Sequence, residues 1–139
     1  MQLLWRGVGA YAEHHSVKTL FGCASFQGTD LDDYRHALAY LYHNHLAPEN
    51  IRTRALEHLY QDMDLIPANQ VDTKRAIRQL PPLIKGYIRL GGFIGEGAVI
   101  DEQFNTIDVC IIVQSDLMAN RYAQRYRNVS GVPDGSPLK

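Results

Sequence analysis

The chain is 139 residues long, 45% hydrophobic and 21% charged, the balance of one ordinary folded domain, which speaks against a disordered chain. Its formal net charge of −1 supplies no field that would draw it to nucleic acid or to an anionic membrane surface, and nucleic acid is not expected as a partner. Two cysteines, Cys23 and Cys110, each inside an apolar run, exclude a disulfide framework and predict two buried thiols in a reducing, cytoplasmic compartment.

Met1 to Ser16 carries Leu4, Trp5, Val8, Tyr11 and Ala12 at the 3.6-residue period of an amphipathic helix. Nothing ahead of it could cap its first amides, so the sequence reads as part of a longer protein. KTLFGCASF, Lys18 to Phe26, is a short apolar run that predicts a buried strand. Helix then strand is half of a βαβ unit, whose other strand would precede Met1.

Asp30 is placed to cap a helix from Leu31 to His45, along which Leu31, Tyr34, Leu38, Leu41 and Tyr42 recur at helical spacing until Pro48. Asn50 to Ile66 has no clean period; its alternating Arg52 and Arg54 predict at most a short strand over Ile51 to Ala55. Asp72 opens another helical stretch, which Pro81 and Pro82 either break or restart, since proline fits a first turn and not a helix interior. LIKGYIRLGG then runs as helix into a stop at Gly91 and Gly92. Phe93 to Ile100, with Gly95 and Gly97 inside it, and the β-branched run Thr106 to Gln114 predict an antiparallel hairpin with its loop at Asp101 to Asn105. An amphipathic helix from Ser115 to Arg127 closes a domain over 1–127, and 128–139 reads as a flexible tail. No uninterrupted apolar run reaches the ~18 residues that span a bilayer, and no charged-then-apolar leader opens the sequence. Contact with the inner membrane is expected to be peripheral at most.

LLWRGVGAY, LFGCASFQGTD, YLYHNHLAP, LPPLIKGYIRLGG and DEQFNTIDVCIIV resemble, in order and spacing, successive motifs of the L-ornithine N-alpha-acyltransferases of the GNAT superfamily, the hemolysin-like acyltransferases of ornithine-lipid biosynthesis. The resemblance runs from Leu3 to about Tyr126. It implies an α/β fold, the carboxy-terminal half of a GNAT-like acyltransferase: helix, strand, helix, then helix and strand hairpin. It further implies transfer of a 3-hydroxyacyl group from acyl carrier protein, through its acyl-phosphopantetheine arm, to the alpha-amino group of ornithine, giving lyso-ornithine lipid. The fold also resembles acyl-homoserine lactone synthases, which keeps a homoserine lactone-type acceptor open. Members of the family are roughly twice as long, and their missing half holds the first strands and the loop that cradles the phosphopantetheine.

Acyl transfer to an amine needs a neutral nucleophile near the thioester, a proton acceptor and donors aimed at the oxygen that gains charge. By the family's fold the LFGCASF strand splays from its neighbour and the donor arm lies in the gap, so that Cys23, Ser25 and Phe26 border the acyl channel; ordinary strand packing is the alternative. Cys23 as a nucleophile paired with a histidine is the less favoured option, because a cysteine in an apolar strand is usually a core residue. Asp30, at the strand's end, either caps the next helix or holds the acceptor's ammonium. His43 or His45 is the candidate proton acceptor, since imidazole titrates near neutrality, with a structural role at the helix end as the alternative. Their H-x-H spacing diverges on a helix and no third ligand is evident, so no metal site is expected. Lys85 and Arg89, four apart on one helical face, would hold a carboxylate or phosphate, or form a solvated basic face. Asp101 and Asp108 would pair with the side-chain ammonium of ornithine or shape the hairpin. The contrasting expectation is an inactive fragment that at most binds a partner, completing its sheet as a homodimer because LFGCASF would otherwise be left exposed.

Overall fold

The computed structural model describes residues 2–116, apart from the side chains of Gln2, Leu4 and Trp5. The helix expected over Ser115 to Arg127, beyond its first two residues, and the expected tail at 128–139 lie outside the described residues. The fold is a helical layer packed on an antiparallel sheet.

Helix α1 (Gln2–His14) ends in a left-handed Ser16 at φ 51. There Val17 N–H donates to the Ala12 carbonyl at 2.8 Å and Ser16 N–H to that of Glu13 at 3.1 Å, which satisfies carbonyls that would otherwise be orphaned at the helix end. The expected apolar stripe is largely uncovered. Tyr11 is 62% exposed, Val8 is only half-buried, and Ala12 alone of the described α1 side chains is buried.

Strand β1 (Thr19–Gln27) pairs antiparallel with β5 (Thr106–Gln114) along its whole length, from Thr19 opposite Gln114 to Gln27 opposite Thr106. Across the sheet the order is β1, β5, β4 (Ala98–Asp101) and β2 (Tyr60–Gln61). The short β3 (Phe93–Ile94) pairs with β5 at Ile112 and Ile111. Because β1 fills one edge of β5, β3 and β4 share the other. The hairpin between β4 and β5 turns through a left-handed Asn105, with the Asp101 carboxylate accepting the Phe104 N–H at 3.0 Å. Asp101 thus shapes the loop.

One face of the sheet carries the core. Ala24 and Phe26 of β1 and Ile107, Val109, Ile111 and Val113 of β5 form a single cluster with Leu38 and Leu41 of α2 (Arg35–His45) and Ile84 of α4 (Pro82–Arg89). Each fully buried large side chain contributes about 1.5–3 kcal/mol. A 3-10 turn at Leu31–Tyr34 precedes α2, and its Tyr34 hydroxyl donates to the Gln27 carbonyl at 2.8 Å, seating the turn on the end of β1. Asp30 caps that turn, its carboxylate accepting the Asp32 N–H at 2.9 Å.

Three expectations are corrected. β1 is not buried on both faces: Thr19, Phe21, Cys23, Ser25 and Gln27 are exposed, Phe21 at 77%, because β1 is a sheet edge and no described strand pairs with its outer side. Cys23 is therefore an exposed thiol and Cys110 a half-buried one. The strand pairs among the described residues are antiparallel. Finally, Phe93 to Ile100 is not one strand. The register against β5 shifts by two residues between β3 and β4, and Glu96 in the resulting bulge is stitched to a neighbouring segment: Glu96 N–H donates to the Thr53 carbonyl at 2.7 Å and Ala55 N–H to the Glu96 carbonyl at 2.9 Å. The strand expected over Ile51 to Ala55 reduces to this single parallel bridge at Arg54. Gly97 in the bulge has φ +83, and a Cβ there would meet the Tyr60 ring at 2.4 Å. Gly97→Ala is expected to destabilise the chain by about 1–3 kcal/mol in urea unfolding, from backbone strain and overpacking together.

The two prolines restart a helix, with Pro82 in the first turn of α4. Ahead of it, α3 (Thr73–Gln79) is capped by Asp72, whose carboxylate accepts the Arg75 N–H at 3.0 Å. That bond, with lesser help from the positive charge of Arg78, holds the Asp72 pKa below its ordinary 3.8. A depressed folded-state value means that the stabilisation is fully present above the unfolded value and is lost as pH falls through the folded one. Asp72→Ala is expected to lower the urea midpoint at pH 7, and the gap from the parent should close as the pH drops well below 3.8.

Candidate functional site

The hydrogen-bond phase of the β1–β5 ladder decides what β1 offers to solvent. Ser115 N–H donates to the Lys18 carbonyl at 3.0 Å and Gly28 N–H to that of Asn105 at 2.8 Å, so these pairs bracket the ladder at hydrogen-bonded positions. Such positions alternate with non-bonded ones. Phe21, Cys23 and Ser25 therefore occupy non-bonded positions and turn their own N–H and C=O groups to the free edge. Their side chains project onto the face opposite the core, so the free edge and this second face meet along the same residues.

Three rows cross that face. Phe21, Ile112 and Phe93 form the first, in which Ile112 is 1% exposed and Phe21, on the edge strand, 77%. Cys23 and Cys110 lead the second, which continues to Gly95, where an added Cβ would lie 3.1 Å from the Cys110 Cβ and 2.2 Å from Thr53 Oγ1. Ser25, Asp108, Val99 and Tyr60 form the third. At its far end the Arg54 guanidinium lies 4.1 Å from the Tyr60 ring centroid and pairs with Glu96 and Glu57, which locks the 53–57 segment beside the face.

Two groups here lack what burial demands. Asp108 Oδ1 and Thr53 Oγ1 are buried with no hydrogen-bond partner, an arrangement that costs each group its hydration without return. A carboxylate oxygen in that state is a receptor for a cationic donor such as an ammonium. Partial desolvation first, then the negative charge of Asp108 and the adjacent Cys110 thiol, push the Cys23 thiol up from its ordinary value. It stays protonated at neutral pH, which argues against nucleophilic catalysis by Cys23.

Of the residues singled out from sequence, the fold gathers Cys23, Ser25 and Asp108 on this face and sends the others elsewhere. Phe26 has its side chain on the opposite face, 0% exposed in the core, so it does not border the open face. Asp30 is engaged as a cap. His43, on α2, has Nε2 2.9 Å from the Ile66 carbonyl and 3.1 Å from Asp64 Oδ1. Its Nε2 thus faces two oxygens, and these contacts tie α2 to the 64–66 segment. His45 Nε2 lies 3.2 Å from the Tyr40 hydroxyl. Lys85 and Arg89 sit on α4 in the helical layer, the first half-buried and the second exposed. Among the described residues no group of three or more His, Cys, Asp or Glu could hold a metal ion, and no helix is long and apolar enough to cross a membrane.

Sequence reasoning missed Thr53, Tyr60 and the pairing of Cys110 with Cys23. The alternation around Arg52 and Arg54 was the available signal for the first; nothing local reports which residues a strand will face.

The chain is 46% identical over 126 residues to the L-ornithine N(alpha)-acyltransferase of Brucella abortus (strain 2308), an alignment that covers 91% of the chain and 45% of that protein. It is 43% identical over 132 residues to the L-ornithine N(alpha)-acyltransferase of Rhodobacter capsulatus, covering 94% and 50%, and 44% identical over 126 residues to that of Agrobacterium fabrum, covering 91% and 43%. The chain spans about half the length of the curated relatives it matches, and the part matched is their carboxy-terminal part. No protein-family model and no solved structure matches it.

Proposed function

We propose, from a chain that aligns over nine-tenths of its length with the carboxy-terminal part of the L-ornithine N(alpha)-acyltransferases, that it forms the acceptor side of an N-acyltransferase acting on ornithine. The observation that carries this reading is identity of 41–46% with four such relatives. The site supports it through Asp108. Ornithine offers an alpha-amine to acylate and a second, side-chain ammonium, and the unpaired buried oxygen of Asp108 is a matching acceptor for that ammonium. An acceptor with one amine and no second cation leaves Asp108 unpaired, which favours ornithine over a homoserine lactone-type acceptor.

The donor we assign is a 3-hydroxyacyl group on acyl carrier protein, delivered by its phosphopantetheine arm. The outward N–H and C=O groups of Phe21, Cys23 and Ser25 suit the amides of such an arm, which would lie along the free edge of β1 as an extra strand does. The neutral alpha-amine attacks the thioester carbonyl, the C–N bond forms, the C–S bond breaks, and the proton lost by the amine nitrogen ends on the departing carrier sulfur, which leaves as the thiol. Holding the side-chain ammonium at Asp108 fixes the alpha-amine relative to the edge, which converts the encounter into a positioned one. The product, lyso-ornithine lipid, is amphiphilic, and we place the protein in the cytoplasm at the inner-membrane surface.

The test is formation of N-acylated ornithine from ornithine and 3-hydroxyacyl-acyl carrier protein, followed by mass spectrometry. It is run on the chain, and on the chain fused behind the amino-terminal segment of the Brucella abortus relative, with that segment alone as blank. Acylated ornithine above the blank from either protein is the expected result. A fusion that unfolds cooperatively yet forms none overturns the reading.

A further inference from the structure

Cys23 and Cys110 stand directly opposite one another in the β1–β5 ladder. The hydrogen bonds at Lys18–Ser115 and Gly28–Asn105 put that pair at a non-hydrogen-bonded position, where opposing side chains share a face and Cα atoms come within about 4.5 Å. A disulfide spans Cα separations of about 4.4–6.8 Å, so the backbone is already inside the range that a cross-strand bridge needs. Both residues are free thiols, Cys23 exposed and Cys110 half-buried. The Cys110 thiol has only a weak contact to give up, to the Ile111 carbonyl at 3.9 Å. Neither sulfur has a role in the acyl-transfer chemistry derived above.

We propose that Cys23 and Cys110 form a dithiol–disulfide couple, a modification site that takes a two-electron oxidant of the disulfide class. Under mildly alkaline conditions, where a fraction of the raised Cys23 thiol is ionised, the exposed Cys23 sulfur, as thiolate, attacks one sulfur of oxidised glutathione, forming a mixed disulfide and releasing one glutathione thiolate. The Cys110 thiolate then displaces the second glutathione, closing the Cys23–Cys110 bond. The two protons lost by the protein end on the two glutathione molecules, and the protein pair is oxidised as the glutathione disulfide is reduced. The half-buried position of Cys110 makes it the resolving sulfur, reachable from Cys23 across the ladder. The closed bridge would lie in the row beside Ser25 and Asp108, joining the edge strand covalently to its neighbour. An exposed cross-strand bridge of this kind belongs to the labile, reducible class rather than the structural one.

The test uses the 139-residue chain, treated with excess oxidised glutathione, quenched with an alkylating agent and measured as intact mass and as a non-reduced digest. The expected product is a monomer lighter by two hydrogens, resistant to alkylation, whose digest links the Cys23 and Cys110 peptides and which dithiothreitol returns to the dithiol. Cys110→Ser is expected to stop at the glutathione adduct on Cys23, and Cys23→Ser to react far more slowly. A parent chain that ends as a stable glutathione adduct, as a Cys23-linked dimer or with both thiols still alkylatable overturns the proposal. Because none of these measurements involves acyl transfer, their outcome is independent of the proposed function.

Discussion

Asp108→Asn is expected to lower kcat/KM for ornithine by about 10- to 100-fold, the loss of one hydrogen bond to a charged partner worth roughly 1.5–3 kcal/mol, without lowering stability. The two halves of this prediction come from the same observation. In the free protein Asp108 Oδ1 is buried and unpaired, so its charge is a liability that the amide removes, and urea unfolding of the variant should match or exceed the parent. With acceptor present, the amide offers no charge to the side-chain ammonium, and binding weakens. A residue that only braced the sheet would behave in the opposite way, with stability lost and the acceptor untouched. The measurement is acylation kinetics in the fused protein at varied ornithine, beside urea unfolding of the chain. An unchanged kcat/KM, or a loss of stability, would remove Asp108 from the acceptor site. Such a trade of stability against function is common where a site keeps an unsatisfied group for its ligand.

The second large effect is at Phe26. Its side chain is 0% exposed, its ring lies 4.9 Å from that of Tyr34, and it belongs to the cluster that joins β1 and β5 to α2. Phe26→Ala removes that packing and leaves a cavity beneath the 3-10 turn, for an expected loss of about 3–5 kcal/mol in urea unfolding. The same substitution separates the two roles open to this residue. A channel-lining phenylalanine on the open face would be tolerated within about 1 kcal/mol and would alter preference for acyl-chain length. The nearby exposed Phe21, 77% exposed, supplies the control, because Phe21→Ala should change stability little. If Phe26→Ala proves mild and Phe21→Ala severe, the facing of β1 deduced from its register is wrong.

The contrast between Phe26 and Ser25 shows how far the strand was legible. An apolar run of the composition of LFGCASF marks a strand whether it is covered on one face or two. Since neighbouring residues in a strand point to opposite sides, Cys23, Ser25 and Phe26 could not all line one surface, and the resemblance to a known family grouped them only by position. His43 and His45 were legible as helix-end histidines. That His43 Nε2 faces two acceptors depends on the 64–66 segment, which has no period to announce where it runs.

What the sequence by itself determined was local chemistry and kinship. Asp30 and Asp72 cap the turns they precede because their short carboxylates reach backbone N–H groups two and three residues on. The hairpin around Asp101 to Asn105 follows from a β-branched run beside a turn-forming stretch, and the ordered motifs carried the relationship to the acyltransferases. Tertiary structure alone decided which edge of β1 no described strand pairs with, which of its side chains meet Asp108, and that Cys23 lies across from Cys110. Those outcomes depend on pairing between segments far apart in the sequence, from Gln27 with Thr106 to Thr19 with Gln114, where register is set by burying Ala24, Phe26, Ile107 and Val109 together. A shift of one residue would send every one of those side chains to the other face.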